Sequence, residues 1–431
     1  MSDAGRRGRI AVEIPADLVP PEIRDAPLPP LVPVRSPDPP PPLADPRAAV
    51  RTALEAALTD LQPDGLAGAR VALALGSRGL GRYPDLVAGA RDALDAAGAS
   101  TFVMPAMGSH GGGTPAGQAQ VLREYGVVPD GVPLEADDAV DRVGVSPLGT
   151  PLFASTVART ADAVVLLNRI KSHTGFRGDV ESGLTKMFVI GLGKRAGAAA
   201  LHALGYDGFA DRLEAAREAL LPHYPPLVGV GVVEDAEGRP AHVEAIPGPA
   251  LGAREPALLR DAKARMARLP FTKLDVLVVE RAGKDVSGLG MDPNVTGRFQ
   301  RGPAGPPAPT RIALLSLTPA SEGNAAGMGH ADVVPAAFAD AIDPVPTWTN
   351  ALTSTSLASA RMPLVVPDAA DAVRVALATC GVAPEAARIA WIRDTSDLRT
   401  YRASRPALDA LADASEAALP TERGPAEPPP L

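Results

Sequence analysis

The chain has 431 residues, 46% of them hydrophobic but only 3% aromatic, and a formal net charge of −8. That length accommodates two or three domains with cores of Ala, Val and Leu, and the acidic balance excludes a general nucleic-acid binder, which would carry a basic face. The single cysteine, Cys380, excludes an internal disulfide framework and a Cys-cluster metal site; with no apolar stretch after the basic Met1–Arg9 and no run near the ~20 residues of a membrane span, a cytoplasmic protein without membrane contact is expected.

Ile10–Ile14 alternates and reads as a short strand. Residues 19–47 are Pro-rich and read as an extended arm or linker. A helix is expected over Pro46–Leu58, with Pro at its start. From residue 71 strand and helix alternate: strand Val71–Leu75, helix Pro84–Ala97 closed by Gly98, strand Thr101–Pro105, helix Thr114–Tyr125 stopped by Gly126, strand Ala163–Leu167. Helices follow at Ala196–Leu204, Asp211–Leu220 and Pro256–Arg268, with a strand at Leu227–Val233. A second unit starts near Lys273–Glu280, with a strand at Arg311–Leu317, a helix at Ala369–Ala378 and a strand at Arg388–Trp391. This rhythm predicts an α/β protein: a domain over 1–270 with a mainly parallel, covered sheet, a smaller α/β domain over 271–403, and a disordered Ala/Pro/Glu-rich tail over 404–431. The site is expected in the cleft between the domains, a common place for ligands.

Three Gly-rich loops follow predicted strands: Gly76-Ser77-Arg78-Gly79, Gly108-Ser-His110-Gly-Gly-Gly113, and the segment Lys171–Lys194. Parallel neighbours would send all three to one edge. Glycines there let backbone N–H groups approach an anion, with Ser77, Gly79 and Gly183 in the rim and Arg78 as its charge partner. Gly191–Gly197 spells GxGxxxG, one residue too long for a dinucleotide fingerprint, and it lacks the first glycine and the Ser/Thr of a P-loop.

His110 and His173 lie on separate post-strand loops, and two imidazoles on opposite sides of a substrate could handle a proton on either face. Taken singly, each is better read as a surface or capping histidine; the pair, both on glycine-rich post-strand loops, reads as functional. Lys186 is flanked by Met187, Phe188, Val189 and Ile190. Burial would favour its neutral, nucleophilic form, whereas the plainer reading is a surface lysine. His202 sits among small residues, which admit a bulky neighbour or simply pack; His223, His242 and His330 read as structural.

At these residues the chain resembles the nickel-pincer lactate racemase family, two-domain α/β proteins that racemise or epimerise 2-hydroxy acids. Lys171-Ser-His173 resembles that family's "KPH" segment, Gly108-Ser-His110 its "GTH" loop, Lys186 its cofactor lysine, and His202, sixteen residues on, its nickel ligand. The resemblance implies an isomerase. Lys186 would carry a pyridinium mononucleotide through a thioamide, nickel bound to the cofactor would be completed by His202, and His110 and His173 would serve as acid and base while the substrate hydrogen moves as hydride. It also implies cofactor-maturation enzymes as partners. Gly283–Arg298 stands where the family has "YQxxK", so Lys284 or Arg298 is expected to hold the substrate carboxylate. Two other readings stay open: a nucleotide- or anion-binding homologue that never loads nickel, and a zinc hydrolase using His110, His173 and His202. The identity of the hydroxy acid and the oligomeric state, a homodimer included, are left open.

Overall fold

Four apolar strands explain how the residues between Pro39 and Met266 assemble: β1 Arg70–Leu75, β2 Ser100–Pro105, β3 Ala163–Arg169 and β4 Leu227–Glu234, all parallel. A fifth, β5 Pro240–Pro247, returns antiparallel to β4, and the order across the sheet is β2-β1-β3-β4-β5. In this computed structural model the described residues are 13–15, 17–61, 65–300, 304–411 and 419–431. Side chains alternate across the sheet. Val71, Leu73 and Leu75 pack with Val50, Leu54, Leu86 and Val87 of the helices Pro46–Leu61 and Tyr83–Ala96. Ala72, Ala74, Val164 and Leu166 face the opposite layer with Leu184, Phe188, Leu213 and Leu258. Burial on both faces is why these strands read as unbroken apolar runs. From β1 the chain steps to β2 on one side and then crosses to β3 on the other. The loops after β1 and β3 therefore diverge at a topological switch point.

The second unit comprises residues from Ala267 onward together with the described residues up to Asp38. Five parallel strands lie in the order Leu364–Val366, Val333–Pro335, Arg311–Leu314, Val276–Val279, Ile389–Ile392. Three antiparallel ones continue the sheet: Thr400–Ala403, Val32–Arg35 and Thr421–Glu422. The protein is thus α/β, built on two mainly parallel sheets.

Three expectations need correction. The Pro-rich segment is not simply an arm, because Leu31, Val32 and Val34 are fully buried and draw it into the second unit's sheet. The tail is ordered at Thr421–Glu422, which pairs with Val34 and Arg35. The first domain begins later than expected, since the described residues up to Asp38 group with the C-terminal part. The strand expected at Ile10–Ile14 falls largely outside the described residues.

Candidate active site

Because β1, β2 and β3 are parallel neighbours, their following loops share the C-terminal edge of the sheet, as the sequence predicts. That edge gathers Ser77, Arg78, His110, His173 and Lys186, and the helix Lys194–His202 brings His202 to the same place.

Lys186 ends the short helix Leu184–Lys186. Glu255, from the helix Leu251–Arg265, is buried against its first turn and accepts Thr185 N–H at 2.9 Å and Thr185 Oγ1–H at 2.6 Å. A β-carbon on Gly183 would collide with Glu255 Oε1, and Asn168 Nδ2 donates to the Gly183 carbonyl at 2.9 Å. The next five residues, Met187–Gly191, form a buried π turn, a device frequent at functional sites. Lys186 Nζ lies 5.9 Å from the Phe176 ring centroid and makes no hydrogen bond or ion pair among the described residues. Loss of hydration, then Arg78 and Lys171, lower its pKa to about 7.

His110 is carried by a loop braced by Gln118, whose Nε2 donates to the Gly108 carbonyl at 3.0 Å and the His110 carbonyl at 3.2 Å. Gly108 needs its positive φ of 59°, and a β-carbon there would lie 3.0 Å from Ile190 Cγ2. The imidazole Nδ1 shares a short hydrogen bond with Ser77 Oγ. His110 is an exposed residue of this loop. Lost hydration there, followed by Arg78, Lys186 and His202, holds its pKa down to about 4.

The loop carrying His173 wraps around the buried carboxylate of Glu181. One oxygen accepts His173 N–H at 2.6 Å and Ser172 Oγ–H at 3.0 Å; the other accepts Lys263 Nζ at 2.6 Å. The His173 ring accepts Gly175 N–H at Nδ1, 2.9 Å away. Burial, then Lys186, Lys171, Arg177 and His202, push this imidazole well below the usual range. An aromatic run joins it to His202: His173–Phe176 centroids are 4.4 Å apart, Phe176–Phe209 4.7 Å, and Phe209 stacks on His202 at 5.5 Å. Tyr206 touches this run at several points. Burial and then Lys186 lower the His202 pKa. Arg78 makes no hydrogen bond or ion pair among the described residues, and burial and nearby Arg169 push its pKa down. Every perturbing charge on the three imidazoles and the amine is cationic, so the edge is prepared for an anion.

Several assignments change. Ser77 is engaged with His110. A β-carbon on Gly79 would press on Tyr125 at 3.0 Å and one on Gly183 would collide with Glu255 Oε1, so packing gives both glycines a reason without a ligand. Lys284 Nζ is committed to the carbonyls of Gly288 and Ala326 and to Asn350 Oδ1, between 2.7 and 3.1 Å. Arg298 donates to the carbonyls of His330, Pro309 and Thr310 and pairs with Asp332 at 2.5 Å. Both cations clamp loops of the second unit, so the expected carboxylate role has no geometric support. Gly191 and Gly193 of the GxGxxxG run abut the carbonyls of Ala106 and Val189, which makes that run a packing motif. Lys194, buried with its pKa lowered to about 8 by lost hydration, donates Nζ to the Pro105 carbonyl at 2.6 Å and ties its helix to β2. Among the described residues no three His, Cys, Asp or Glu side chains are grouped to hold a metal, which removes the geometric basis for a three-histidine zinc site. Nor is any helix there long and apolar enough to cross a membrane. Sequence reasoning missed Glu255, Gln118, Tyr206 and Phe209; the last two follow His202 closely and were the available signal.

No family model and no curated protein matches the chain. Among solved structures, one of a Thermotoga maritima protein superposes with a TM-score of 0.46 at 13% identity, over 63% of this chain and 71% of that one. The lactate racemase apoprotein from Thermoanaerobacterium thermosaccharolyticum superposes with a TM-score of 0.44 at 13% identity, over 80% of this chain and 85% of the other.

Proposed function

We propose that this chain is a racemase or epimerase of a 2-hydroxy acid, acting by reversible hydride transfer with Lys186 as the anchor of a nickel-pincer pyridinium mononucleotide. The observation that carries the reading is Lys186 itself: an amine without a hydrogen-bond partner among the described residues, its pKa lowered to about 7, set beside three imidazoles and Arg78. The residues fit the group. An amine that is neutral near pH 7 is the form that acylates to a thioamide. His202, on the helix Lys194–His202 beside Phe209, would supply the imidazole that completes the nickel. Arg78 is available for the nucleotide phosphate.

When bound, the group would supply a hydride-accepting ring carbon tuned by nickel. The protein's part is to bind an anionic substrate in a cationic recess, orient its hydroxyl toward an imidazole, and move the hydroxyl proton. His110, hydrogen-bonded to Ser77, would make that transfer.

The test is intact mass and metal analysis of the chain matured with cofactor-synthesis enzymes. A mass increment on Lys186 is expected, absent from Lys186→Ala and from Lys186→Arg, whose guanidinium is not nucleophilic. His202→Ala should keep the increment and lose nickel. A wild-type chain with no increment after maturation would favour a plain anion-binding protein.

A further inference from the structure

Aromatic side chains are only 3% of this chain, so a group of them beside a candidate nucleophile calls for a reason. Phe176 and Tyr206 lie 22° from parallel with centroids 6.2 Å apart, and Phe209 meets the two rings at 4.7 and 5.2 Å. Phe209 is buried and belongs to the core, whereas Tyr206 keeps part of its surface open. Lys186 Nζ stands over the face of the Phe176 ring, 5.9 Å from its centroid. The charged side chains that act on Lys186 are Arg78 and Lys171. Such cations attract a phosphate or a carboxylate but repel a positively charged ring. An aromatic face does the opposite, because its quadrupole places negative potential above the ring plane.

Resting on the reading of Lys186 as a cofactor anchor, we propose that Phe176 and Tyr206 form a cation–π cradle that receives the positively charged pyridinium ring of the nucleotide joined to that lysine. A ring linked to Nζ through a single thioamide carbon begins two bonds from an atom that already stands over Phe176, so the cradle lies within its reach. The two faces offset the repulsion that Arg78 and Lys171 exert on the ring, while the cations remain for anionic groups. Phe176 and Tyr206 are then positioning residues: they fix the plane of the ring, and Phe209 backs them from the core. A neutral apolar group, such as the side chain of a substrate, would gain from the same rings by burial alone and would show no preference for positive charge. That difference separates a cradle for a pyridinium from ordinary packing.

The test compares two probes on the full-length chain before any maturation: nicotinamide mononucleotide, whose ring is a pyridinium, and its reduced dihydropyridine form, which keeps the phosphate and has a neutral ring. In titration calorimetry near pH 8 the oxidised form should bind roughly 3- to 30-fold more tightly than the reduced one. Tyr206→Leu and Phe176→Leu keep an apolar side chain without a π face and should each bring that ratio down toward about 1, whereas Tyr206→Phe should retain it. Should Phe176→Leu disturb the loop, seen as a lowered melting temperature, Tyr206→Leu at the more open position decides. Equal binding of the two nucleotides by the wild-type chain overturns the proposal, as does a ratio that both leucine variants leave unchanged, or no binding of either probe. The mass increment on Lys186 after maturation tests the cofactor reading separately. A preference for the oxidised ring with no increment would defeat that reading and leave the cradle standing as a site for a pyridinium nucleotide; an increment with no preference would remove the cradle and leave the reading.

Discussion

At the scale of single residues, Lys186 gives the sharpest expectation. An ordinary lysine stays protonated until about pH 10.4; this one is lowered to about 7 by lost hydration and by Arg78 and Lys171. Limited acylation followed by peptide mass mapping should find Lys186 modified first, at a rate climbing through pH 7. Lys194 should lag despite its pKa of about 8, because it is only 2% exposed. A Lys186 rate that climbs only above pH 9 would contradict the described environment. The sign for stability is the same. The folded amine releases its proton more readily than the unfolded one, so its unfavourable contribution fades as pH rises from about 7 toward 10. The second expectation concerns Gly183. A β-carbon there drives into Oε1 of Glu255, a carboxylate hydrogen-bonded to Thr185, and lies 2.8 Å from Ile170 Cδ1. Gly183→Ala should cost about 1–3 kcal/mol in urea denaturation and disturb the turn that presents Lys186, so the preferential labelling should weaken with it.

At the scale of elements, Glu181 shows how a loop becomes a rigid mount. Its carboxylate collects two backbone N–H groups, a hydroxyl and an ammonium, and the loop from Ser172 to Gly178 folds over it. Glu181→Gln places an amide N–H2 against donors that need an acceptor. A loss of about 1–3 kcal/mol, with faster proteolysis at Arg177, is the expected result; unchanged protease resistance would mean that other contacts hold the loop. The elements that could be read from sequence were those with a single dominant signal. β1 and β3 are apolar runs buried on both faces, and the helix from Pro115 to Glu124 begins at its capping Thr114. The hairpin Val140–Val145 and Pro151–Ser155 escaped because its first strand is largely exposed and has no apolar alternation. β5 escaped because it is only half-buried and bounded by prolines. The π turn after Lys186 has no sequence signature beyond its apolar run. Within the site, His110 and His173 stood out because glycine-rich loops behind apolar strands mark them, whereas Lys186 and His202 stood out only through the resemblance and its sixteen-residue spacing. Glu255 was not, since it meets Thr185 from 70 positions away. Lys284 and Arg298 misled because a cation in a loop looks the same in sequence whether it faces a ligand or its own carbonyls.

At the scale of the whole molecule, the chain's beginning belongs with its end, and composition hid this. Proline between residues 19 and 47 reads as extended chain, yet Val32 and Val34 are at most 1% exposed and join Leu277, Ile392 and Tyr401 in one core. The strand Val32–Arg35 lies between Thr400–Ala403 and Thr421–Glu422, antiparallel to both. Deleting residues 1–38 would uncover the edge at Thr400–Ala403, orphan Thr421–Glu422 and remove Leu31, Val32 and Val34 from the core. Each of these side chains contributes roughly 1.5–3 kcal/mol by burial, a loss comparable to the roughly 5–15 kcal/mol that holds a typical domain together. The truncated chain should therefore lose the cooperative melting of the unit containing Trp391, followed by its fluorescence. The residues from Pro39 to Met266 have their own sheet and cores, so Lys186 should keep its early acylation near pH 7 in the same sample. A truncated protein with an unchanged Trp391 transition would mean that the strand only decorates the sheet; loss of Lys186 labelling alongside the transition would mean that the first unit depends on the second for its fold.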